Sequence, residues 1–152
     1  MRFAGEIMVP ARRERVFATI CDPRFLVSCI EGVGDLAEVD ATHYTATIQT
    51  KLAYVRFKFQ VAVEILRIEA PRAIEARLEG RPLGIVGRLT VISLTTLEEA
   101  GADTRLRYAT DMTLAGKLGS IGQSVFAAKA KEMETQFAAN LSATFAQQMA
   151  AP

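Results

Sequence analysis

Two hydrophobic periods divide this chain. From Arg2 to Leu114 apolar residues largely alternate with polar ones, as in strands with one buried face, whereas from Ser120 to Met149 they return at helical spacing. Arg2 to Val9 is a first strand, with Phe3, Gly5, Ile7 and Val9 on one side and Pro10 as its stop. Ala11 to Cys21 places Val16, Phe17 and Ile20 on one face of a short helix. That helix ends at Asp22-Pro23, because the residue before a proline is driven out of the α region. A second short helix, Pro23 to Ser28, and a turn, Cys29 to Gly34, follow.

Six strands then come at close intervals: Asp35 to Val39, His43 to Leu52, Tyr54 to Glu69, Ala73 to Gly80, Ile85 to Leu97 and Thr104 to Leu114. Phe57, Phe59, Val61, Val63 and Ile65 share one face of the third, with Arg56, Lys58, Gln60 and Glu64 on the other. Ile74, Ala76 and Leu78 do the same in the fourth, and Leu106, Tyr108, Thr110, Met112 and Leu114 in the last. Connections this short predict an antiparallel meander.

The closing segment, Ser120 to Met149, repeats Val125, Met133, Phe137, Leu141, Phe145 and Met149 as a stripe. Lys129, Lys131, Glu132, Glu134, Gln136, Asn140 and Gln147 fall mostly opposite. Ser120 is the expected N-cap. The helix would be about 45 Å long and needs a large apolar surface to lie on. An α+β fold meets that need: a bent seven-stranded antiparallel sheet around a long C-terminal helix, with two short helices capping one end.

With 152 residues the chain is expected to form a single domain, 1–152. Its 18 basic and 17 acidic residues leave a net charge of +1, which argues against a nucleic-acid partner, and no basic run suggests a polybasic membrane patch. No apolar run is long enough to span a bilayer, and Met1 to Arg13 does not read as a signal peptide. Cys21 and Cys29, with no second pair, read as reduced thiols of a cytoplasmic protein.

Motifs for chemistry are sparse. Gly116-Lys117-Leu118-Gly119-Ser120-Ile121-Gly122 lies between strand and helix but lacks the spacing of a phosphate loop, so its glycines read as a tight turn. His43 is the only histidine, which leaves no multi-histidine metal site, and no nucleophile elbow is present. Glu64, Glu75, Glu79 and Asp111 alternate with apolar positions and belong on a solvated outer face. No catalytic residue, metal or cofactor is assigned. What remains is the inward set: Phe57, Phe59, Val61, Leu78, Leu89, Val91, Tyr108, Met112, Val125, Met133 and Phe137. By composition this set could be a filled core or the lining of a cavity with Tyr108 as its polar handle.

Thr104-Arg105-Leu106, Tyr108-Ala109-Thr110-Asp111 and Gly116 to Gln123 resemble the last strand and the glycine-rich approach to the last helix of the carbon monoxide dehydrogenase G-subunit family. That family belongs to the START-like (SRPBCC) superfamily of helix-grip proteins. Ala130, Met133, Phe137, Asn140, Leu141 and Phe145 are similar to its helix pattern, and Cys29-Ile30-Glu31-Gly32 to its early turn, where the family commonly has proline in place of Glu31. The Gly-Pro pair common in the family is Ala53-Tyr54 here, and the C-terminal membrane-attaching extension of some members is not expected after Pro152.

The resemblance implies a ligand cavity lined by the inward set. It also implies a non-enzymatic carrier of a lipophilic molecule such as a quinone, acting beside a molybdenum hydroxylase with weak or transient contact at the inner membrane face. An aromatase or cyclase using Tyr44, Tyr54, Tyr108 or His43 as proton donor is the alternative, and a ligand-free assembly factor a third reading.

Overall fold

The computed structural model describes residues 1–150, without the side chains of 147–150. Strand β1 (Arg2–Val9) is followed by α1 (Arg13–Ile20) and α2 (Pro23–Cys29). Strands β2 (Val33–Asp40), β3 (His43–Leu52), β4 (Val55–Glu69), β5 (Ala73–Pro82), β6 (Gly87–Ala100) and β7 (Asp103–Gly116) come next, then a 3₁₀ turn (Lys117–Ile121) and α3 (Gln123–Ala150). The strands form one antiparallel sheet in the order β1-β7-β6-β5-β4-β3-β2, so the meander is continuous and β1 closes onto the last strand. This is the helix-grip arrangement expected from the alternation.

The start of α3 differs from expectation. Ser120 does not cap it; its hydroxyl donates to the Lys117 carbonyl at 2.6 Å inside the 3₁₀ turn. Gly122, with φ of 103°, then redirects the chain into the helix. The left-handed backbone there favours glycine, so the break falls at Gly122 rather than at the serine. The side chain of Met149, the last position of the expected stripe, lies outside what is described. Strands β6 and β7 run further than the alternation suggested, which shrinks the polar loop between them to Gly101 and Ala102.

Two clusters of buried side chains hold α3 against the sheet. One joins Leu141 and Phe145 of α3 to Ile7 and Val9 of β1, Val16, Phe17 and Ile20 of α1, and Leu97 and Leu106. The other joins Phe126 to Leu118, Leu52, Phe59 and Val61. Leu141 and Phe145 are almost wholly buried, and such side chains stabilise by roughly 1.5 to 3 kcal/mol each. Between the clusters the facing side chains are small. Ala76, Ser93 and Thr110 are register neighbours across β5, β6 and β7, and α3 contributes Ala127 and Ala130 above. Helix and sheet are held apart at both ends by bulk that the middle does not supply.

Candidate functional site

The space so left is a cavity of about 820 Å³. Its floor is the inner face of the sheet: Val63, Ile65, Ile74, Ala76, Val91, Ser93, Thr95, Tyr108, Thr110 and Met112. Its roof is α3, through Ala127, Ala130, Lys131, Met133, Glu134 and Phe137, and one side is closed by Ile20, Cys21, Leu26 and Ile30 from the α1–α2 corner. Asn140 fastens that corner, its side-chain amide donating to the Cys29 carbonyl at 2.8 Å, and the ring of Phe25 meets Phe137 edge-on at 6.5 Å.

Of the inward residues expected from sequence, Val91, Tyr108, Met112, Met133 and Phe137 line this cavity. Phe59 and Val61 are buried in the second cluster, with Phe57, Leu78, Leu89 and Val125 packed against it, and none of these six is among the residues that line the cavity. Phe57 also borders a smaller groove of about 600 Å³ between α3 and the β3–β4 hairpin, together with Met133, Lys129, Glu132 and Gln136. Met133 is therefore shared by the two spaces.

The polar face assigned to α3 is corrected on this point. Glu134 and Lys131 border the cavity, Lys129 and Gln136 the groove, and Asn140 carries the tie to α2. A helix gripped by a curved sheet is enclosed over more of its circumference than the stripe of large residues covers.

Tyr108 is the polar centre of the cavity. Burial first, then the facing Glu134 carboxylate by hydrogen bonding and charge, push its phenol well above the ordinary tyrosine range, so it remains a neutral donor. Ser93 and Thr95 add hydroxyls on the adjacent strand, with Thr95 directly opposite Tyr108 in the ladder. Tyr44 borders the cavity while its hydroxyl donates to the Ala41 carbonyl at 3.2 Å. Burial raises the Cys21 thiol above its ordinary value, so it is a poor nucleophile at neutral pH.

The other proposed proton donors lie elsewhere. Tyr54 is 91% exposed at the β3–β4 tip. His43 is on the surface at the β2–β3 hairpin, its Nδ1 donating to Asp40 at 2.8 Å. Asp111, expected on the solvated outer face, is exposed there beside Arg2. Among the described residues no group of histidine, cysteine or carboxylate side chains is placed to hold a metal ion, and no helix is long and apolar enough to cross a membrane.

Sequence reasoning missed the small and polar part of the lining: Ala76, Ser93, Thr95, Ala127, Ala130 and Glu134. The available signal was the run of small residues at inward positions of β6, where Ser93 and Thr95 interrupt Leu89, Val91 and Leu97.

Solved structures share this architecture. A conserved protein from Geobacillus kaustophilus superposes with a TM-score of 0.87 at 24% identity, over 97% of this chain and 96% of that one. The ZhuI aromatase/cyclase from Streptomyces sp. R1128 superposes with a TM-score of 0.72 at 10% identity, over 98% and 95%. A protein from Mycobacterium smegmatis gives 0.68 at 16% identity, over 97% and 92%. These likenesses show a shared fold. Among curated proteins the chain has no match. The profile of the carbon monoxide dehydrogenase G subunit (CoxG) matches residues 5–146, nearly the whole length, and the chain belongs to that family.

Proposed function

We propose that the protein binds a lipophilic ring compound, with a quinone as the leading candidate, and carries it without transforming it. The observation that supports this reading is the cavity: about 820 Å³ of mostly apolar lining with one neutral phenol donor facing a carboxylate. Apolar area supplies affinity, and Tyr108 fixes orientation through one hydrogen bond. Membership of the CoxG family suggests the setting, an accessory to a molybdenum-containing carbon monoxide dehydrogenase or related hydroxylase, delivering an electron acceptor or recruiting the enzyme to the inner face of the membrane.

The test is solvent extraction of the purified protein with mass spectrometry, followed by quinone titration of the stripped protein. A co-purifying lipophile and saturable binding are expected. Their joint absence rejects the carrier and leaves the ligand-free assembly factor.

The facing of Tyr108 and Glu134 favours a second reading, a cyclase-type enzyme, because a phenol and a carboxylate at one site can pass a proton. Turnover of a bound polyketide-like substrate, lost in Tyr108→Phe, would replace the carrier with this enzyme.

A further inference from the structure

The outer face of the sheet is electrostatically divided. Toward one end its charges are paired: Arg105 and Arg107 with Glu6 and Glu98, Arg67 with Glu69 and Glu75, and Arg77 with Glu79. Toward the other end the cations make no ion pairs among the described residues. Lys51 and Arg56 are register partners across β3 and β4, with Lys58 two positions along β4. Arg81 lies opposite Gln60 on β5. Gly80 pairs with Leu89, whose side chain packs in the core, so Arg81 and the adjacent Arg88 of β6 both turn outward beside each other. Lys117 follows the end of β7. All six are exposed, and none has an ion pair among the described residues. The outward carboxylate nearest to Arg81 along β5, Glu79, is engaged by Arg77 at 2.8 Å.

The connections at this end project apolar side chains. Tyr54 is 91% exposed, Val55 54%, Val86 79% and Leu83 49%. They form one surface with the cations, since the Leu83 amide donates to the Lys58 carbonyl at 2.8 Å and the Lys117 amide to the Val86 carbonyl at 2.9 Å. The Lys51 ammonium lies 5.6 Å from the centre of the Tyr54 ring.

We infer that this end of the sheet docks on a bilayer carrying anionic lipids. An acidic protein would answer the charge alone. Projecting aromatic and aliphatic tips flanked by cations fit a surface that is anionic outside and apolar beneath, where tyrosine and valine enter the interface and lysine and arginine stay at headgroup level. The groove beside α3 is bordered by Lys51, Arg56 and Lys58 of the same end, with Glu132 engaged by Lys129 and Glu31 by the Gln136 amide, and it shares Met133 with the cavity. In its purpose the docking face therefore rests on the carrier reading, as the face through which a lipophile is taken up, while the docking itself requires no cargo.

Sedimentation of stripped protein with vesicles tests it, comparing phosphatidylcholine alone with phosphatidylcholine containing about a third phosphatidylglycerol. Binding to the anionic vesicles only, falling as salt is raised, is expected. Lys58→Gln, Arg81→Gln and Arg88→Gln should each lower the partition coefficient about fivefold, and together on the order of a hundredfold. Tyr54→Ser with Val86→Ser should weaken binding without changing its salt dependence, and Arg77→Gln in the paired half should leave it unchanged. Equal partition into both vesicle types, or no loss in the triple variant, overturns the proposal. Binding to polyglutamate but not to vesicles overturns it in favour of an acidic protein partner. Quinone titration of the unsubstituted protein separates the two readings: vesicle binding without quinone binding rejects the carrier alone, and quinone binding without vesicle binding rejects this face alone, while the triple variant should lose the vesicles and keep its quinone affinity.

Discussion

Gly5 and Tyr108 stand opposite each other in the β1–β7 ladder, and the tyrosine ring occupies the place where a side chain on Gly5 would be. A Cβ at Gly5 would come within 2.6 Å of the Tyr108 Cζ, closer than packed carbon atoms approach. Gly5→Ala must therefore swing the phenol away from Glu134 while leaving an edge strand whose other contacts are intact. Quinone affinity should fall by up to about tenfold, the worth of one oriented hydrogen bond, as in Tyr108→Phe. Unchanged affinity in both variants would remove Tyr108 from the site.

Ala130→Trp and Val61→Trp should separate lining from support. Ala130 faces the cavity, so tryptophan there fills it and should abolish ligand binding with little change in melting temperature. Val61 is buried between Phe59 and its neighbours, so tryptophan there overpacks the core, costing about 1 to 3 kcal/mol. Binding and thermal unfolding of both variants check this, and the reverse pattern would exchange the two roles.

Removing the Asn140 amide leaves the Cys29 carbonyl unpaired beneath α3. Asn140→Ala should cost about 0.5 to 1.5 kcal/mol in denaturant unfolding. Gln136, whose amide reaches Glu31 at 3.3 Å on the surface, should tolerate alanine within about 0.5 kcal/mol. Equal costs would mean that the part-buried tie contributes no more than the exposed one.

His43 should titrate above its ordinary 6.5, because its hydrogen bond to Asp40 and the charges of Asp40 and Glu64 favour the imidazolium. A raised folded value stabilises the protonated form, so this contribution is complete below pH 6.5 and fades as pH rises through the folded value. Asp40 is held below its ordinary 3.8, chiefly by the Thr42 amide and then by His43, so its contribution exists above 3.8 and fades as pH falls through the depressed value. A proton NMR titration of the single imidazole checks the sign: Asp40→Asn should move its midpoint down toward 6.5.

The fold was legible because alternation and spacing carry nearly all the information a meander requires. His43–Leu52 matches its expected bounds, and β4 departs by a single residue. The site was only half legible, because a search for large inward residues finds what fills space. Phe59, Val61 and Leu89 are bulky and pack in the second cluster, whereas the room itself is made by Ala76, Ser93, Ala127 and Ala130, which look ordinary in a hydropathy pattern. Glu134 read as solvated because charge is usually outside, an expectation that weakens on a helix enclosed by a curved sheet. The cationic end was invisible for another reason: Lys51, Arg56, Lys58, Arg81, Arg88 and Lys117 are scattered over five elements and meet only through strand register.

Strands β1 and β2 are consecutive in the chain yet occupy opposite edges of the sheet. The pairs from β2 to β7 are neighbours in sequence and close short loops, whereas pairing Arg2 with Asp111 closes a loop of about 100 residues and bears the larger entropy cost. Assembly thus has an order: the meander can condense locally, and β1 and α3 join it afterwards. Conservative substitutions in β1, such as Ile7→Val, should accordingly speed unfolding and leave the folding rate nearly unchanged. Since β1 and α3 border the cavity, the binding chamber comes into existence only with the final steps of folding, and a nascent chain has nowhere to hold a ligand until its last helix has docked.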